Sequence, residues 1–573
     1  MKQSFAAAWA ARALLLLLLI VVFVAAVFIA GASLHDPDTC WLLMLGKCIV
    51  ESGALPSSDP YSYTMALFPE KRFVLYQWLT EVLFFLSYKA LDLMGLLLLA
   101  AIVLTAAFVS IPLAFARKIG MPGTFAVIGT ILTLIAAFFH FLCRPEIFSY
   151  LLIGVYISLT HFFLRNRKIE KTEKIDWKAV TIFGAVMMLW CNLHSAFVLG
   201  LGYLCVFAVI TTLSDFIADK RLSAINQTGL LCFFSAFLAT FINPYGAGLW
   251  QYLPTLFFTP LNKHILELRP LSGKDFLEWT YYPFFILIIS SVLITARAFM
   301  SKIKGIDSTA VYSPRGQFVF AAIAILSWTI AGVCCRRLIP FAALHLFSEG
   351  GYMLALLRAQ KANASSAATA SIEAASMETA RIEAASIESA SRDSAGETAA
   401  DGSNSSFLEM ADRKIDSLYQ PHGFMWFATI AVFAAVGVFF VATRIPGAVV
   451  LPQSGAAMQV PFDAIRFIAD KPPSGRLFNE PQFGDVLIWK LPDPPKLFID
   501  TRFDMYGTEI VDDFVMIHGA KPGWENLVKR YEISWMFVQP NAEIAKRLLA
   551  HKGWKILYQD KASIVMQRRN SGL

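Results

Sequence analysis

Asp36 and Asp38, two residues apart in His35-Asp36-Pro37-Asp38, follow directly on a long apolar run. A carboxylate there can take the proton of an acceptor hydroxyl, and a pair can hold a divalent metal ion against a phosphate leaving group. A helix cap or a tight turn explains the same residues with no chemistry at all. Asp36 and Asp38 are therefore the candidate catalytic residues, and the ligands if a metal ion takes part. Further along lie Asp59 in Asp59-Pro60-Tyr61-Ser62, then Glu81 in an aromatic stretch with Tyr76 and Trp78. Arg144-Pro145-Glu146, Asn192-Leu193-His194 and Arg336-Arg337 each stand at the end of an apolar segment, while Glu267 lies in a loop, where it either contacts a sugar or pairs with Arg269. Ionisable groups in such places pair with one another or reach for the interface more often than they catalyse. Their gathering on one side is the stronger signal. Arginine forks suit phosphate, which makes Arg144, Arg336 and Arg337 candidates for a lipid phosphate. His194 serves either a leaving group or a buried hydrogen bond.

The elements that must position these groups are membrane helices. Of 573 residues, 57% are hydrophobic and 16% charged, with a mean hydropathy of +0.57. That is too apolar for a soluble enzyme. About eleven spans are expected, at 13–30, 92–115, 122–142, 147–164, 179–193, 196–214, 225–243, 281–299, 317–334, 338–357 and 424–443. The net charge of +7 comes from Lys and Arg in alternate short loops. That distribution sets a cytoplasmic N-terminus and argues against a nucleic-acid partner. The first run is too long for a cleaved signal core and reads as a retained helix. Eight cysteines show no paired spacing for zinc or redox work. If residues 40–48 are helical, Cys40 and Cys48 stand about 12 Å apart, beyond disulfide reach.

The chain divides into a transmembrane module, 1–358, with a catalytic first loop at 32–91, a low-complexity Ala/Ser/Glu linker at 359–420, a last span at 421–445 and a domain at 455–573. In the last, helices are expected at 463–469 and 542–550 and strands at 497–499, 535–538 and 563–566, a small α/β domain outside the membrane. Asp500, Arg502 and Asp504 follow the first of those strands, where ligand loops of α/β domains lie. A structural loop with Arg502 bridging the two acids is the competing reading. Between Trp78 and Tyr88 an amphipathic helix is expected at the interface, either an anchor or the floor of a lipid-facing cleft.

This pattern resembles the GT-C superfamily of integral membrane glycosyltransferases, which includes the protein O-mannosyltransferases, the lipid A aminoarabinose transferase and the oligosaccharyltransferase catalytic subunits. The likeness runs from Asp36-Pro37-Asp38 and the Gly53 to Ser62 segment through Arg144-Pro145-Glu146, Trp190 to His194, Asn243 to Gly246, Glu267 and Arg336 to the Phe498 to Gly507 stretch. It is nearest to a bacterial branch of that superfamily. There glycine tends to stand where this chain has Ser195, and tryptophan where it has Leu268, so sugar specificity transfers poorly. The resemblance implies a GT-C-like α-helical polytopic membrane protein with a C-terminal extracytoplasmic α/β domain, seated in a bacterial inner membrane. It implies a polyprenyl-phosphate-linked sugar donor and an envelope glycan, lipid or protein acceptor. Asp36 or Asp38 would be the base or the metal-binding acid. A transporter or flippase of a lipid-linked substrate and a noncatalytic envelope scaffold are the rival readings. No internal repeat of a transporter kind is visible.

Overall fold

A computed structural model describes residues 36–165, 174–220, 222–258, 266–303, 315–360 and 460–569. The first expected span, the linker beyond residue 360 and the last expected span lie outside the described residues. The helices are α1 (Asp38–Ser52), α2 (Trp78–Thr105), α3 (Ile111–Lys118), α4 (Gly123–Ala137), α5 (Glu146–Thr160), α6 (Trp177–Leu193), α7 (Phe197–Asp219), α8 (Ala224–Ala239), α9 (Ala247–Phe257), α10 (Tyr282–Ile303), α11 (Arg315–Cys334) and α12 (residues 339–360). Each span expected between residues 92 and 357 falls on one of these helices or their short extensions. Among the described residues, six segments are long and apolar enough to cross a bilayer: Trp78–Lys118, Gly123–His140, Glu146–Arg165, Phe197–Ile217, Trp279–Met300 and Gly316–Cys334. Trp177–Leu193 and Ala224–Ala239 are apolar but shorter. The chain is thus a helical membrane protein.

Local chemistry sets the boundaries. Asp176 caps α6 by accepting from the Ala179 amide at 3.1 Å, and Ser223 caps α8 by accepting from the Asn226 amide at 3.2 Å. Asn243 makes the expected turn, its Oδ1 accepting from the Tyr245 amide at 2.8 Å. In α2 the helix breaks at Leu91 and Asp92, where Asp92 takes φ 55°. The break separates the expected interfacial piece from the span. α1 lies across that piece so closely that a Cβ on Gly46 would stand 2.0 Å from the carbonyl oxygen of Glu81. Only glycine allows this approach. All eight cysteines are free, Cys40 and Cys48 included.

The C-terminal domain, the expected outer domain, holds α13 (Phe462–Asp470), β1 (Arg476–Asn479), α14 (Pro481–Lys490), α15 (Phe503–His518), α16 (Trp524–Arg530), β2 (Ile533–Val538), α17 (Glu543–Leu549), β3 (Trp554–Gln559) and β4 (Ile564–Arg568). Its sheet runs β1-β2-β4-β3, with β1 and β2 parallel and the other pairs antiparallel. The helices and strands expected near 463–469, 542–550, 535–538 and 563–566 are present. The expected strand at 497–499 is not part of the sheet. Its apolar side chains are buried as a strand's would be, but its backbone partners come from the first loop. Leu497 bridges Ser62, its amide donating to the Tyr61 carbonyl at 2.9 Å and its carbonyl accepting from the Tyr63 amide at 3.1 Å. Asn479 supplies the missing neighbour on the domain side, accepting from the Phe498 amide at 3.0 Å and donating to the Ile499 carbonyl at 2.7 Å.

Replacing Asn479, which is fully buried, with alanine strands that amide and carbonyl in the interior. The full chain in detergent should lose about 1–3 kcal/mol in denaturant unfolding followed by outer-domain tryptophan fluorescence. The exposed Asp463→Ala should leave the transition where it is.

Candidate functional site

The first loop, the start of α5 and the loop before α10 converge at the rim of the bundle. Pro145 precedes α5 and Glu146 sits in its first turn, where a carboxylate suits the helix dipole. This places Arg144 immediately outside the bundle. Its guanidinium grips Asp36 with two nitrogens, Nε pairing with Oδ2 and Nη2 donating to Oδ1 at 2.9 Å. Nη2 also lies 3.3 Å from Asp38 Oδ2, and Nη1 lies 3.5 Å from Glu267 Oε2. One arginine therefore faces three carboxylates. Glu267 pairs with Arg144.

The two aspartates are held differently. The side chain of Asp36 is 3% exposed, its oxygens both engaged by Arg144. That of Asp38 is 22% exposed, and its Oδ1 accepts from the hydroxyl of Thr501 at 2.5 Å. Desolvation in the crevice, then the charge of Asp36, push the Asp38 carboxyl above its usual range, while Arg144 and the Thr501 hydroxyl pull it back in part.

The remaining arginines at this rim carry their own counter-ions. Arg337 pairs with Glu146, and Arg336 Nη2 lies 2.6 Å from Asp275 Oδ2. Asn192 is saturated: its Oδ1 accepts from Trp78 Nε1 at 2.8 Å and its Nδ2 donates to the carbonyls of Met188 and Ile242. It pins the α2 segment to the bundle. His194 lies inside, its Nδ1 2.9 Å from the Ser149 hydroxyl, which also accepts from Trp190 Nε1. The geometry matches a hydrogen-bonded bundle histidine.

Asp59 and the outer-domain candidates form a second knot. Arg502 Nη1 lies 2.8 Å from Asp59 Oδ1, and its Nε donates to Asp500 Oδ1 at 2.9 Å. Tyr506 donates to Asp500 Oδ2 at 2.8 Å. Arg502 thus bridges Asp500 to the first loop rather than to Asp504. Asp504 accepts from Tyr252 of α9 at 3.0 Å. Beside this second knot lies a cleft lined by Trp41, Tyr76, Glu81, Tyr252, Arg502 and Asp504. Glu81 is fully buried, and neither carboxyl oxygen has a hydrogen-bond partner among the described residues.

Among the described residues no group of three or more His, Cys, Asp or Glu is placed to hold a metal ion. The Arg144 guanidinium stands between Asp36, Asp38 and Glu267 and supplies the positive charge that a cation there would bring. Sequence reasoning missed Thr501 and Asp485, which adjoin Asp38. Thr501 sits inside a motif read only for its charged members, and the lone Asp485 carries no pattern.

No protein-family model matches the chain, and no curated protein matches it in sequence. Among solved structures it is similar to the archaeal oligosaccharyltransferase AglB from Archaeoglobus fulgidus in complex with an inhibitory peptide and a dolichol-phosphate. That likeness has a TM-score of 0.49 at 12% identity and covers 98% of this chain and 74% of that one. It is also similar to ArnT from Cupriavidus metallidurans bound to undecaprenyl phosphate, with a TM-score of 0.44 at 15% identity over 97% of this chain and 98% of that one. Likenesses this shallow add no weight to the residues themselves.

Removing Arg144 leaves carboxylates in a poorly hydrated crevice without their cation. Arg144→Gln should cost about 3–5 kcal/mol in unfolding of the detergent-solubilised chain. Asp36→Asn added to Arg144→Gln should recover a large part of that loss.

Proposed function

We propose that this chain moves a sugar from a polyprenyl-phosphate-linked donor to a hydroxyl of an envelope glycan, lipid or protein acceptor at the extracytoplasmic rim of a bacterial inner membrane. The observation that carries the reading is the partly open carboxylate of Asp38 beside the Arg144 guanidinium, at the mouth of an apolar helix bundle.

In this reading Asp38 is the general base. Its side chain is reachable, whereas Asp36 is closed off by two bonds from Arg144. Asp36 instead orients the guanidinium and keeps Asp38 basic enough to accept a proton. The acceptor oxygen, losing its proton to Asp38, attacks the anomeric carbon while the bond from that carbon to the phosphate oxygen breaks, inverting the centre. The N–H groups of Arg144, with Arg337 at the same rim, face the oxygen on which negative charge grows. The polyprenyl tail lies along the bundle and the α2 segment. Arg144 does the electrostatic work that a metal ion would otherwise do, so no step passes through one.

Asp38→Asn should lower transfer by about 10²–10⁴-fold. Intact-mass profiles of envelope lipids, glycans and glycoproteins from cells expressing it at the wild-type level should lack one sugar-sized increment. An unchanged profile with the variant correctly inserted would favour transport or scaffolding. Because the Asp38 carboxyl sits above the ordinary aspartate value of 3.8, it gains its proton, and activity falls, at a higher pH than an ordinary aspartate would give. The acid limb of kcat/KM against pH should therefore lie above that value. Chelator treatment of washed membranes should leave the rate unchanged.

A further inference from the structure

Thr501 belongs to the outer domain, yet its hydroxyl is the closest hydrogen-bond partner of Asp38. The side-chain oxygen lies 2.5 Å from Asp38 Oδ1 and 2.9 Å from Asp485 Oδ2, and it accepts from Trp41 Nε1 at 3.1 Å. The Thr501 amide points back at Asp485 Oδ1 at 3.3 Å. Asp485 on α14 is fully buried.

A hydroxyl has one proton to give. Shared between two ionised carboxylates, it would leave one of them facing a bare lone pair in a buried setting, which is costly. With Asp38 ionised beside Arg144, the arrangement is satisfied when Asp485 carries a proton and donates to Thr501, Trp41 donates to the same oxygen, and Thr501 spends its own proton on Asp38. Burial, then the nearby Asp500 and Asp38, hold the Asp485 carboxyl well above its usual range, in keeping with that assignment. Every bond in this chain has a donor and an acceptor, and its direction is fixed from the domain interior outward.

We propose that Thr501 and Asp485 are positioning residues of the transfer site, through which the outer domain aims the Asp38 carboxylate. This rests on Asp38 being the base. Asp38 is gripped from both sides, Oδ2 by Arg144 of the membrane module and Oδ1 by Thr501 of the outer domain. Without Thr501 the carboxylate is free to turn fully onto Arg144, away from an incoming hydroxyl. The Trp41 N–H keeps only a long contact to Asp38 Oδ1, at 3.5 Å, and does not replace the hydroxyl.

The test uses the full chain in nanodiscs with a lipid-linked sugar donor, and four variants. Thr501→Val keeps the shape and loses the hydroxyl; Thr501→Ser keeps the hydroxyl. Asp485→Asn keeps a donor toward Thr501 as the protonated acid does; Asp485→Leu removes it. Thr501→Val and Asp485→Leu should lower kcat by about 10–100-fold with the donor KM within about threefold of wild type. Thr501→Ser and Asp485→Asn should stay within about threefold of wild type in kcat. Wild-type kcat in Thr501→Val, or equal damage from Asp485→Asn and Asp485→Leu, would overturn the assignment. A second measurement needs no turnover: melting temperatures of Asp38→Ala, Thr501→Val and the double variant. The two changes should be non-additive, since they break one bond. Additive shifts would overturn the proposal even if transfer is robust. Non-additive shifts with no transfer by the wild-type chain would instead sink the base role of Asp38 and leave the contact standing.

Discussion

A guanidinium among three carboxylates at the edge of a bilayer is stable only if the chain brings all four groups together and keeps them there. Asp36 and Asp38 open α1, Arg144 precedes α5, and Glu267 lies in the loop before α10. The three segments that carry them lie far apart in sequence. Leaving any one group uncompensated in so poorly hydrated a place costs several kcal/mol, roughly the scale of a whole domain's stability. The cluster thereby fixes the register of the first loop against the bundle. A second buried pair stands at the other end of the same helix, where Arg165 lies 2.8 Å from Glu349 of α12, with its guanidinium over the rings of Tyr352, Phe320 and Phe207. At helical rise the two arginines are roughly 30 Å apart, a hydrocarbon thickness. The α5 segment is thus anchored by an ion pair at each end, and only the pair near the first loop is open to a substrate.

The outer domain is wired to the first loop by comparable bonds. Leu497 runs beside Ser62, Thr64 donates to the Phe498 carbonyl at 2.6 Å, and Arg502 joins Asp59 to Asp500. These contacts lie within a short stretch on each side. A domain attached this way is a wall of the candidate site, and Thr501 is where the wall touches the Asp38 carboxylate. Glu81, a residue of the cleft beside the Arg502 knot, is a buried carboxyl whose oxygens have no partner among the described residues.

The membrane helices were legible because their signal is length and apolarity, which survive any rearrangement of neighbours. The break between the interfacial piece and the span was legible for a similar reason, since an aromatic amphipathic stretch gives way to an unbroken apolar run after Asp92. The Leu497–Ile499 segment misled because alternating burial says that a chain is extended but not which partner it takes. Pairing is a long-range choice, here made by the Asn479 side chain and the first loop. The charged members of the site could be read because an ionisable group beside an apolar span is conspicuous. Their partners could not. Arg144 and Arg337 invite a phosphate reading on sequence, and only the fold shows that each already carries a carboxylate. Thr501 and Asp485 escaped because a hydroxyl and a lone acid are common, and proximity alone gives them a role.

The measurement that tests the central claim most directly is the structure of the full chain in nanodiscs with undecaprenyl phosphate added. The account predicts phosphate density at the rim, within hydrogen-bond reach of Arg144 or Arg337 and beside Asp38, with the tail along the α2 segment. Phosphate bound elsewhere on the bundle, with the Arg144 cluster undisturbed and shut, would contradict it.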